Sequence, residues 1–264
     1  MWDEGIQYNR NYFRATWLLT AMDAGFFTAK DIRHRWVRSA ASMLCTFWYL
    51  AFSQNAEEKV KKYRATATVA LLRTSWEKAT DPLIRAITWP LRIRLGVHRI
   101  VRLPRTDQPH LPPIAVHVYF DGTEAELSEA TACVFQVPGG GFISMSPDNH
   151  YDAISRWCRQ TKLPFLSLNY KKAPEYAYPY ALEECLEAWQ QCHRSQGAVF
   201  GINAHGLGDR PCKLRVALAG DSACVFFFFF FLLFSFFGHV WVMCFAWTPM
   251  AMAARSHTYA LMHR

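Results

Sequence analysis

From residue 98 onward, short β-branched or aromatic runs alternate with stretches of helical periodicity, and this alternation limits the fold more than any other feature. Runs at 98–103, 115–120 and 132–137 are separated by Pro, Asp and Gly. A helix opened by Pro147 and Asp148 and running to 162 follows, then a strand at 165–170, a helix at 179–194 and a strand at 214–219. Strands separated by helices of this length need both sheet faces covered. The spacing therefore predicts βαβ units and a three-layer α/β sandwich on a mostly parallel sheet.

Residues 1–97 have a different texture, helical from about residue 10. The 18-residue stretch 39–56 carries no charge, but Ser39, Ser42, Thr46, Ser53, Gln54 and Asn55 shorten its apolar heart. It is too short for a bilayer span of about 20 residues and reads as a buried helix. Arg33, Arg35 and Arg38 just ahead of it keep interfacial membrane contact open as the alternative. Residues 57–80 mix charged and apolar positions at helical spacing. The expected organisation is a helical N-terminal cap region at 1–97, a partial α/β domain at 98–223 and an atypical tail at 224–264.

Composition excludes several classes. With 52% hydrophobic and 16% aromatic residues the chain is not disordered. Its net charge of +8 is concentrated early, with 15 Lys/Arg against 8 Asp/Glu in residues 1–97 and 14 against 13 beyond. No RNP-like, helix-turn-helix or zinc-finger pattern accompanies that charge, so it reads as a solvated helical surface and no nucleic-acid partner is expected. The eight cysteines contain no CxxC, and Cys/His spacing fits no zinc template. No metal or cofactor is expected. Cys185 and Cys192 lie two helical turns apart and read as small apolar packing residues. Reduced thiols and the absence of a secretory pattern around Asp3 and Glu4 point to a cytoplasmic or membrane-associated chain.

The tail holds no Lys, Arg, Asp or Glu between Ser222 and Ala254, and Phe226 to Phe231 are six consecutive phenylalanines. Residues 225–247 therefore qualify as a transmembrane candidate. The competing reading is a translated polypyrimidine tract, because phenylalanine codons are pyrimidine-rich.

Three segments carry chemistry. Pro138-Gly139-Gly140-Gly141-Phe142 directly follows a strand, and successive glycines leave backbone N–H groups uncovered. Leu218-Ala219-Gly220-Asp221-Ser222-Ala223-Cys224 runs a strand into Gly-x-Ser-x-small, the turn that exposes a serine hydroxyl at the carboxyl end of a sheet. The position two after the serine is normally glycine and here is Cys224. Between them lies Tyr170-Lys171-Lys172-Ala173-Pro174-Glu175, continued by Pro179, Ala181, Leu182, Glu183 and Glu184.

In this order the three segments resemble the hormone-sensitive-lipase-like α/β-hydrolases, over roughly residues 98–223. The basic N-terminal helices and the Pro-Gly-Gly-Gly form resemble fungal esterase and lipase members. The resemblance implies a serine carboxylic-ester hydrolase working through an acyl-enzyme, with a small-molecule ester as substrate. Ser222 is the implied nucleophile, and the amides of Gly140, Gly141 and Ala223 the implied oxyanion hole. Gly139, Gly220, Asp221, Tyr170 and Glu175 are implied structural residues of the motifs. Pro138 stands where the family has a histidine, which is not the general base. In this fold the triad acid and base follow the serine in chain order. The 42 residues after Ser222 contain no Asp or Glu, and His239, His257 and His263 sit in no recognisable family context. A chain truncated just after the nucleophile turn and close to inactive is therefore expected, with a non-catalytic membrane-associated protein held by the Phe-rich tail as the alternative. The remaining histidines, among them His98, His110, His117 and His150, read as surface or satisfied core residues. Asp148 and Asp152 read as helix-start partners.

Overall fold

A computed structural model of the chain describes residues 10–66, 68–106, 108–203, 213–222 and 241–244. The described residues form two compact units, one ending at Ser75 and one beginning at Trp76.

The first unit is helical: α1 (Arg10–Ala29), α2 (Arg35–Ala51), α3 (Ser53–Arg64) and most of α4 (Val69–Trp76). Helices α1 and α2 approach closely at Gly25, where an added Cβ would lie 2.4 Å from Thr46 Oγ1 and 2.6 Å from the Ser42 carbonyl oxygen. A small core of Ala24, Phe26, Phe27, Ala56 and Val60 forms beneath them, with Phe27 stacked on Tyr63. The expected burial of the 39–56 stretch does not occur over α2, of which no residue is buried; within the stretch the buried residue is Ala56, in α3. The small polar side of α2 meets α1, which leaves Leu44 72% and Phe47 64% exposed on its other faces.

The second unit opens with a 3-10 turn (Glu77–Thr80) and α5 (Pro82–Thr88), the latter capped by Asp81, whose side chain accepts from the Leu83 amide at 2.9 Å. The strands are β1 (Val97–Leu103), β2 (Ile114–Phe120), β3 (Ala132–Val137), β4 (Phe165–Asn169), β5 (Arg215–Gly220) and β6 (Trp241–Cys244). They form one sheet in the order β1-β2-β4-β3-β5-β6. Neighbours from β4 to β6 run parallel, while β2 is antiparallel to both β1 and β4. The sheet is thus mixed where the sequence predicts mostly parallel pairing. The described residues between β1 and β2 contain no helix, and a parallel pair needs a crossover of a dozen residues or more.

Helices α6 (Glu124–Glu129), α7 (Tyr151–Thr161) and α8 (Tyr180–Arg194) connect the strands. Period-2 alternation sorts strand side chains between two cores. Val116, Val118, Phe135 and Leu166 pack with Leu127 of α6 and with Ala181, Cys185, Ala188 and Cys192 of α8. Tyr119, Val134, Phe165 and Ala219 pack on the opposite face with Ile154 and Cys158 of α7. Two helical layers around one sheet make the expected α/β sandwich, and Cys185 and Cys192 are buried packing residues that form no disulfide among the described residues.

The outer edge of β5 is paired with β6, in register from Ala217–Trp241 to Gly220–Cys244. Apart from this strand, the transmembrane candidate at 225–247 lies outside the described residues. Among the described residues no helix is long and apolar enough to cross a membrane.

Candidate active site

The site forms where β3 and β5 end side by side. Register pairs Val137 with Gly220, so the glycine triplet and Asp221-Ser222 leave the sheet from adjacent parallel strands at the same level. Ser222 has φ +55 and is exposed, whereas Asp221 before it is buried. A non-glycine residue in the left-handed region is held there by its surroundings.

Asp221 is the lock between the two loops. Its Oδ1 accepts the Gly139 amide at 2.8 Å. A Cβ on Gly139 would lie 2.4 Å from Asp221 Oδ2, so residue 139 must lack a side chain for the loops to meet. Gly140 (φ +120) and Gly141 (φ +62) then turn the chain through conformations that side chains rarely adopt. Their amides donate to no group among the described residues, whereas the Gly140 carbonyl accepts from Ile143 and Ser144. Uncommitted backbone amides of this kind are able to donate to an anion.

Three further elements hold the glycine loop. The buried Tyr170 hydroxyl donates to the Pro138 carbonyl at 2.8 Å, and its ring lies 5.5 Å from that of Phe142. The Ala173 amide donates to the Phe142 carbonyl at 2.9 Å. On the other side Glu77 Oε1 accepts from Ser144 Oγ and from the Met145 amide, each at 3.2 Å. Tyr170, Ala173 and Glu77 thus each bond to the glycine loop or to the residues just after it.

Glu175 is exposed in the turn after Pro174. The buried carboxylate of this segment is Glu184, whose Oε2 accepts the Lys171 amide at 2.6 Å. Glu184 Oε1 lies 3.5 Å from Nη1 of the buried Arg105, and Arg105 Nε also pairs with Glu187. Burial pushes the Glu184 carboxyl above its ordinary range, against the Lys171 amide and the Arg105 charge.

Glu77, Arg105, Glu184 and Glu187 were not identified from the sequence as site-supporting residues. Their partners lie between 13 and 82 residues away, and although Glu184 ends the motif quoted from the sequence, the motif does not name its partners. His150 was also missed. It is buried in the 3-10 turn Pro147–His150, its Nε2 has no hydrogen-bond partner among the described residues, and burial lowers its pKa against the opposing pull of Asp221. Asp148 does not cap this turn; Ser146 does, in a reciprocal capping box with Asn149. Ala223, the third implied oxyanion donor, lies outside the described residues, as do Cys224, His239, His257 and His263.

Comparison with known proteins agrees with this geometry. Residues 134–224 match the family model of the α/β hydrolase fold, which spans β3, the glycine loop, α7, β4, α8 and β5. Bovine hormone-sensitive lipase is 29% identical over 143 residues, covering 53% of this chain and 16% of that protein. Esterase LipI of Mycobacterium tuberculosis is 31% identical over 180 residues, covering 58% of this chain and 51% of LipI. The chain therefore spans about half the length of LipI and far less of the lipase. The thermostable carboxylesterase EstE1 from a metagenomic library aligns at 25% identity with a TM-score of 0.46, over 60% of this chain and 47% of that one.

Proposed function

From its membership of the hormone-sensitive-lipase-like α/β-hydrolases, carried by residues 134–224, we propose that this chain holds the nucleophile half of a serine carboxylic-ester hydrolase site. Ser222 is the nucleophile, and the amides of Gly140, Gly141 and Ala223 receive the oxyanion. The observation that carries this reading is the exposed Ser222 at φ +55 beside Asp221, whose carboxylate is fixed to the Gly139 amide.

The mechanism follows from that placement. Ser222 Oγ attacks the carbonyl carbon of a small-molecule ester, and the carbonyl oxygen takes negative charge. The loop amides stabilise that charge; losing one such donor raises the barrier by about 3–4 kcal/mol. Collapse expels the alcohol and leaves an acyl-serine, which water hydrolyses. Both steps need a base to take the hydroxyl proton and a carboxylate to orient that base. The residues after Ser222 contain no Asp or Glu. A polypeptide of these 264 residues therefore retains an oxyanion site and an unactivated serine, and its esterase activity is close to zero.

Hydrolysis of p-nitrophenyl esters and labelling by a fluorophosphonate probe test the reading together. The expected result is slow labelling of Ser222, lost in Ser222→Ala, with turnover far below that of an intact relative. Turnover within about tenfold of such a relative, abolished by Ser222→Ala, would overturn the inactivity. Labelling that survives Ser222→Ala would overturn the nucleophile assignment.

A further inference from the structure

On the sheet face covered by α7, two histidines and a carboxylate converge. His98 pairs with Tyr119 across β1 and β2, and His117 lies two residues before Tyr119, so all three project to the same side. Asp148, in the 3-10 turn leading into α7, closes the group from above. One ligand-capable atom from each of His98, His117 and Asp148 lies within 4.8 Å of the others. His117 Nδ1 is 3.9 Å from Asp148 Oδ1 and 3.2 Å from the Tyr119 hydroxyl.

We propose that His98, His117 and Asp148 form a binding site for a divalent transition metal of the Zn²⁺ class, tying β1 and β2 to the turn that precedes α7. Two imidazoles and one carboxylate are a donor set suited to such ions, with water completing the coordination. The distances fit after modest adjustment. Three atoms 4.8 Å apart leave a central ion no more than about 2.8 Å from each, against bonds of about 2.0–2.2 Å. Closing that gap needs about 0.7 Å per ligand, which side-chain rotation of the half-exposed Asp148 and the exposed His98 can supply.

The surroundings prepare both rings. Tyr119 stacks on His98 with centroids 4.5 Å apart and planes 22° from parallel. His117 is buried, which limits the movement of its ring. Arg85 faces His98 and Lys172 faces His117, and their charges oppose a cation there; Asp148 is the acid that offsets them. An ion bound at His117 Nδ1 takes the place of the hydrogen bond from Tyr119. Sequence spacing could not show this set, because its members come from three elements and follow no short metal motif.

The full chain, stripped with chelator and titrated with Co²⁺ alone, tests the proposal. The expected result is one saturable site per chain with visible d–d absorption, no thiolate charge-transfer band, and displacement by Zn²⁺. His98→Ala and Asp148→Asn, both at accessible positions, should each weaken binding at least about tenfold while preserving the circular-dichroism spectrum. His110→Ala should have no effect. Lack of saturable binding at micromolar Co²⁺, a thiolate band, or binding unchanged by His98→Ala and Asp148→Asn overturns the proposal.

Discussion

Gly139 offers the sharpest test of how the site is held. An alanine Cβ there would fall 2.4 Å from Asp221 Oδ2, 2.8 Å from its Cγ and 3.0 Å from its carbonyl oxygen. That is about 1 Å inside ordinary non-bonded contact of about 3.5 Å. Asp221 is buried and its other carboxylate oxygen accepts the Gly139 amide at 2.8 Å, so it cannot swing aside without losing that bond. Overpacking costs about 1–3 kcal/mol, and loss of a hydrogen bond to a charged group about 1.5–3 kcal/mol. We expect Gly139→Ala to destabilise the second unit by about 2–4 kcal/mol, or roughly 4–16 °C in Tm. Gly141 provides the control. It has φ +62, but the nearest atom to its Cβ is Ile143 Cγ1 at 3.7 Å, so Gly141→Ala adds only left-handed strain of about 1–2 kcal/mol. Gly140→Ala combines φ +120 with a Cβ 2.2 Å from the Ser144 carbonyl oxygen and should cost the most. Urea unfolding followed by tryptophan fluorescence measures all three. A Gly139→Ala loss below about 1 kcal/mol, or no larger than that of Gly141→Ala, would refute the lock between the two loops.

Other perturbations give separate readouts. Arg105→Met leaves the buried Glu184 and the partly buried Glu187 without their cation and should cost about 3–5 kcal/mol in the same unfolding assay. Tyr170→Phe removes the bond to the Pro138 carbonyl and should cost about 1–2 kcal/mol, with a matching loss of fluorophosphonate labelling at Ser222. Burial lowers the pKa values of His98, His117 and His150 below 6.5, so in acid the folded chain binds fewer protons than the unfolded one. Their contribution to stability is complete above pH 6.5 and is lost as pH falls through their folded values, so chelator-treated protein should melt progressively lower on acidification. His150→Gln should flatten that slope. Burial pushes the Cys158 thiol up to about 12, and a hydrogen bond with Cys192 together with burial raises Cys133, so iodoacetamide should modify the partly accessible Cys45 well before either.

Local chemistry in the sequence determined a good part of this protein. β-branched runs bounded by Pro, Asp and Gly marked β1 to β5 within a residue or two, because strand propensity and turn residues act over neighbouring positions. The glycine triplet and the strand ending in Gly220-Asp221-Ser222 were legible for the same reason: their backbone demands are met within a few residues. Tertiary structure alone decided the antiparallel placement of β2, the exposure of α2 and the pairing of β6 along β5. It also decided the partners: Asp221 for Gly139, Glu77 for the loop after it, Arg105 for Glu184, and Asp148 for the two histidines. Those contacts join residues tens of positions apart. Which of many compatible side chains meet is set by sheet order and register, and no local pattern encodes either one.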